Sequence, residues 1–168
     1  MNPRADWEQR SADLWAAFNA APDDWDQEEF RDRVGALADE LGSDHPVAAF
    51  ERACAWDSTG HSDKAVPLYR KALELGIDGI RRRRSVIQMS SSLRNIGQPG
   101  ESVRLLTEER GRGSDELDDA VSAALALALT SVGREREAVS IAVGALAKHL
   151  PRYQRSTANY ARLLVEPD

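Results

Sequence analysis

Four consecutive arginines, Arg81, Arg82, Arg83 and Arg84, are the residues of this chain best equipped for chemistry. A guanidinium offers a forked pair of donors that matches a carboxylate or a phosphate. The run follows Ile77-Asp78-Gly79-Ile80, where a helix is expected to begin. Cations in a first turn oppose the helix dipole, at about 0.3–1 kcal/mol for each badly placed charge. Something must offset that cost. One answer is pairing with acids of the chain itself, such as Glu74, Asp78 or Glu51. The other is capture of an external carboxylate or phosphate, which makes the junction a small-anion or nucleotide-related sensor. Successive helical residues are turned by about 100°, so only some of the four can face one ligand. The formal net charge is -6, and binding to nucleic acid needs several phosphate contacts. Nucleic acid is therefore not an expected partner.

The remaining reactive side chains form no constellation. Cys54 is the single cysteine. It stands among apolar residues at helical spacing and reads as a small buried hydrophobe. His45, His61 and His149 are scattered, with no Cys or Asp at ligand spacing, so neither zinc nor another metal is expected. There is no G-x-S-x-G elbow, Walker loop or H-E-x-x-H. The acidic pairs Asp23–Asp24, Glu28–Glu29 and Asp118–Asp119 suit helix starts. Asp115, Glu116, Asp118 and Asp119 lack the glycine pattern of a calcium loop. The expectation is a non-catalytic protein with no cofactor.

The elements that position these residues must be helices. Hydrophobic residues make up 42% of the chain and charged residues 30%, enough apolar material for a core. No apolar run approaches the roughly 20 residues of a membrane span. The polar N-terminal stretch lacks the apolar centre of a secretory signal, so a cytoplasmic location is expected. Charge is uneven. Residues 1–60 hold five of the 22 basic and fourteen of the 28 acidic residues, a balance of -9, which leaves +3 for the remainder. The two parts can attract each other within or between chains.

Three stretches align from Gly60, Gly97 and Gly133, which stand 37 and 36 residues apart. Five residues after each comes a small side chain, Ala65, Ser102 or Ala138, and then Val66, Val103 or Val139. Before each glycine runs another apolar-periodic stretch: Val47, Phe50, Ala53, Cys54 and Trp56; Val86, Met89, Ser90 and Leu93; Val121, Leu125, Ala128, Leu129 and Val132. Their three-and-four spacing makes helices. Each unit is helix, short turn, helix, with the glycine as stop. Upstream, Trp7, Ser11, Leu14, Trp15 and Phe18 mark one further helix. Phe30, Val34, Leu37, Ala38 and Leu41 mark another.

In the first unit Ala53, Gly60, Ala65, Tyr69 and Ala72 follow the order of the tetratricopeptide repeat. Ser90, Gly97, Ser102 and Leu106 follow it less closely, and Glu109 breaks the last small position. Ala126, Gly133, Ala138 and Ala145 complete a third unit, with Ala142 in place of the aromatic. The chain thus resembles the tetratricopeptide-repeat family, and more narrowly a group of small bacterial members. The resemblance implies an all-α fold of antiparallel helix pairs, stacked as a short right-handed superhelix with capping helices. The organisation read on that basis is one helical-repeat domain, 1–168. It has an N-terminal pair (4–42), repeats at 46–79, 83–116 and 119–151, and a capping helix at 152–165.

The resemblance also implies a protein or peptide partner held on the first helices, and dimerisation. By register the groove takes Asp57 from the first unit and Arg84, Ser91, Arg94 and Asn95 from the second, with Glu51 and Gln88 beside them. Only Arg84, Arg94 and Asn95 echo a clamp for a terminal carboxylate, and all three fall in one unit. The last stretch mixes Tyr153, Tyr160, Leu163 and Leu164 with Arg152, Arg155 and Arg162. It reads as an amphipathic docking helix, with Tyr153, Arg155 and Tyr160 as its contacts.

Overall fold

The computed structural model describes residues 3–166. All regular structure among them is helical. The chain divides into two compact units, residues 1–85 and 86–168, and the division falls inside one helix.

The first unit contains α1 (Pro3–Ala20), α2 (Gln27–Asp39), α3 (Pro46–Ser58), α4 (Ser62–Glu74) and the opening of α5 (Gly79–Asn95). Short connections pack α1 on α2, α2 on α3 and α3 on α4. Helix α2 starts at Asp26, whose carboxylate accepts the backbone N–H groups of Glu28 and Glu29 at 2.8 and 3.0 Å. That satisfies two donors the helix cannot pair itself. Helix α3 begins with Pro46, and the Val47 N–H donates to His45 Nδ1 at 3.2 Å. The α1 face read from periodicity is the buried one: Trp7, Ser11, Leu14 and Phe18 all turn inward. Phe18 stacks on Phe30 with ring centroids 3.9 Å apart. Trp15 and Trp25 meet Phe30 edge-on at 5.1 and 5.7 Å. Between α3 and α4 the small residues Ala53 and Ala65 are fully buried, which lets the backbones approach closely.

The second unit contains the rest of α5, then α6 (Pro99–Arg110), α7 (Asp118–Thr130), α8 (Glu135–Ala147) and α9 (Gln154–Leu163). Helix α6 packs on α7, α7 on α8 and α8 on α9. Leu106, Val121, Leu125 and Leu129 form its core with Ala126, Ala128 and Ala138. Ser90 and Ser102, the small positions of the middle repeat, are buried too. Glu109, the departure from the repeat pattern, is also buried.

The helices ending at Gly60, Gly97 and Gly133 stop in one way. Each glycine has a positive φ (82°, 80° and 74°). The residue after it donates back five positions: His61 N–H to Trp56 O at 2.9 Å, Gln98 to Leu93 at 2.8 Å and Arg134 to Leu129 at 3.0 Å. This left-handed stop satisfies carbonyls that the helix leaves open. A Cβ on Gly133 would meet no heavy atom within 4 Å, so its replacement tests backbone conformation alone. Gly133→Ala is expected to lower stability by about 1–2 kcal/mol. Chemical denaturation checks this, and an unchanged midpoint would contradict it.

Candidate interaction surfaces

The arginine junction opens α5, and its first member is answered from within the first unit. Arg81 donates to both carboxylate oxygens of Glu8 in α1, at 3.0 and 2.5 Å. Its Nε lies 3.6 Å from a carboxylate oxygen of Glu51 in α3. The other Glu51 oxygen accepts the Trp15 indole N–H at 2.7 Å, with Ser11 Oγ at 3.5 Å. One guanidinium thus ties α1 and α3 to the start of α5. Glu51, read from sequence as part of the partner face, is only 5% exposed and serves this internal network. The physical reason is that its side chain supplies the acceptor for a half-buried indole that would otherwise go unpaired.

Burial pushes the Glu51 carboxyl above the usual carboxylate range, with the Trp15 hydrogen bond and the Arg81 charge opposing. Glu8 moves the other way, held down chiefly by its hydrogen bonds to Arg81. The Arg81 guanidinium is correspondingly held more firmly protonated, first by Glu8. Arg83 is buried as well. Arg84 is the exposed member of the run, with its guanidinium 5.1 Å above the Phe50 ring. The four cations therefore do not form one surface patch. Of the acids named from sequence, Glu51 takes part. Glu8 was missed, because no local pattern links positions 73 residues apart.

Asp57 is half-buried and accepts the Tyr69 hydroxyl at 3.2 Å. The same hydroxyl lies 3.7 Å from Cys54 Sγ. Burial, and secondly the charge of Glu51, push the Cys54 thiol up to about 12. It therefore stays a thiol at neutral pH, without the thiolate that nucleophilic attack requires.

Along α5, Arg84, Gln88, Ser91 and Asn95 are spaced four, three and four residues apart and share one stripe of the helix. Arg84, Ser91 and Asn95 are exposed, Gln88 half-buried. Arg94 is half-buried and lies to one side of the stripe.

Helix α9 sits on α8 through Ala161, and Arg136 Nε donates to Leu164 O at 3.1 Å. Its outward side carries Tyr153 and Tyr160, 76% and 69% exposed. Tyr153 has a φ of 68°, the one positive value among the described residues other than glycine. Pro151, Arg152, Tyr153, Gln154, Arg155 and Asn159 line an open depression there. Lys148 and His149 both reach Asp119, and Arg162 pairs with Glu166. Arg155 has no ion pair or hydrogen bond among the described residues, and no acid stands in the first turn of α9.

Among the described residues no group of His, Cys, Asp and Glu could hold a metal ion. No described helix is long and apolar enough to cross a membrane. Comparison with curated proteins and with solved structures gave no match. A family model described as a tetratrico peptide repeat matches residues 46–164, which span α3 to α9 and include every positive-φ stop described above. With paired helices, left-handed glycine stops and buried small residues between helices, the chain belongs to the tetratrico peptide repeat family.

Proposed function

We propose that this protein is a non-catalytic interaction scaffold that binds a protein or peptide partner and also self-associates. Family membership supports the scaffold reading, since such repeats generally serve protein–protein contact. The observation that carries the choice of surface is the polar stripe of α5. Arg84, Ser91 and Asn95 are exposed there, whereas Val86, Met89 and Leu93 of the same helix are buried. A row of donors and one guanidinium on one helix suits a polar or acidic peptide. Gln88 and Arg94 on the same helix are proposed as its neighbours in binding.

The combined substitution Arg84→Glu and Arg94→Glu is expected to weaken partner capture on the order of tenfold, equivalent to about 1.4 kcal/mol. The circular dichroism spectrum should stay near the parent's, with a modest fall in melting temperature from the lost Arg84–Phe50 contact. Capture at parental strength would remove α5 from the binding surface. A small-anion sensor built on Arg81–Arg84 is the competing reading. Glu8 and Glu51 already occupy Arg81 and Arg83 is buried, so Arg84 is the exposed guanidinium of the run. A rise in melting temperature with phosphate or organic acids would favour that sensor through mass action.

A further inference from the structure

We propose that the outward face of α9 docks on the acidic face of α2 in a second copy of this chain. The proposal rests on the self-association reading above and specifies its surfaces. Tyr153, Tyr160 and Leu163 expose 76%, 69% and 37% of their surface on a folded helix end. Contiguous apolar and aromatic exposure marks contact surfaces, and tyrosine supplies large area at small entropic cost. Arg152 and Arg155 flank these rings, and neither has a counterion among the described residues.

The complementary surface lies on α2 and the turn before it. Asp24, Glu28, Glu29 and Asp32 are exposed, with no ion pair among the described residues. The two arginines of the same helix do not neutralise them outwardly. Arg31 lies over the Trp56 ring at 4.6 Å and Arg33 over the Trp25 ring at 4.8 Å. Both cations lie against indoles, Arg33 remaining exposed, and the four carboxylates outnumber them on this surface. A second copy is the occupant because each chain carries both halves of the contact. Electrostatic complementarity then sets its register and partner choice.

The test uses the full chain in two charge-reversed forms. One carries Arg152→Glu and Arg155→Glu, the other Glu29→Arg and Asp32→Arg. The parent is expected to associate at tens of micromolar by sedimentation or light scattering. Each reversed form alone should dissociate on the order of tenfold more readily, and their equimolar mixture should regain the parent's association. Added salt should weaken the parent's association, since these charges are exposed. Circular dichroism verifies that both forms fold. In a separate form with Arg155 retained, Tyr153→Ala and Tyr160→Ala together should weaken association through lost contact area.

A parent that associates but is indifferent to both reversals, or a mixture that regains nothing, overturns the α9–α2 contact and leaves self-association by another surface. A parent that is monomeric at every concentration overturns the self-association reading as well. A monomer whose melting temperature is lowered by each reversal and restored when both are combined in one chain would place the contact inside one chain and also overturn the proposal.

Discussion

Arg81→Met is expected to destabilise the first unit by about 2–4 kcal/mol, because it leaves the buried Glu51 without its cation while Arg81 and Glu8 are themselves partly exposed and screened by water. Methionine keeps much of the apolar stem and removes the guanidinium. Glu51 then stays 5% exposed with the Trp15 indole as its main partner. Glu8, at the surface of α1, regains water and contributes less. The diagnostic comparison is the double variant Arg81→Met with Glu51→Gln. Glutamine still offers Trp15 an acceptor oxygen but carries no charge to desolvate. The double variant should recover most of the lost stability. If it is no more stable than Arg81→Met, the uncompensated Glu51 carboxylate is not the cause.

The pH dependence has a definite sign. Glu51 has a folded pKa raised above its unfolded value, so the native state binds more protons there than the unfolded state does. Its contribution is most favourable at low pH and is lost as pH rises through the folded value. Without Arg81 the raising grows, so the penalty of Arg81→Met should shrink on acidification. Glu8 acts in the opposite sense in the parent. Its lowered pKa gives stability that is present above the usual carboxylate range and lost as pH falls. Denaturation midpoints measured between neutral and mildly acid pH separate the two, because only the Glu51 contribution is removed by Glu51→Gln.

Phe30→Ala should have a comparable effect, about 3–5 kcal/mol, from lost burial and the cavity left behind. Phe30 is fully buried, stacked on Phe18 and edged by Trp15 and Trp25. Three aromatic partners, two fixed on α1 and one in the connection to α2, leave little room for collapse. The four tryptophans, Trp7, Trp15, Trp25 and Trp56, all belong to the first unit. Their fluorescence therefore reports that unit, while far-ultraviolet circular dichroism reports both. The variant should shift the fluorescence transition strongly to lower urea. A shift below 1 kcal/mol would mean that the ring cluster contributes little beyond excluding water.

Local order made much of the helical pattern legible in the residues alone. Apolar spacing of three and four placed Trp7, Leu14 and Phe18 on one face, and placed Phe30 with Val34 and Ala38. Periodicity of this kind acts within a few turns, so it needs no knowledge of distant contacts. Gly60, Gly97 and Gly133 announced helix ends because a left-handed residue is a local backbone requirement. The family followed from the same register of small residues.

The fate of the charges was decided elsewhere. Nothing near Arg81 points to Glu8, 73 residues away, or points Glu51 toward Trp15, 36 residues away. Nor does sequence order show Arg31 and Arg33 turned back onto Trp56 and Trp25. Ion pairs and ring contacts between distant positions exist only once the helices are packed, because their strength depends on burial and angstrom-scale geometry. Apolar spacing and the glycines were enough to give the helices, their stops and the repeat family. Tertiary structure alone decided that Arg81 is spent on an internal network and that Arg84 stays exposed. It also decided that the unanswered charge and exposed rings lie at α9.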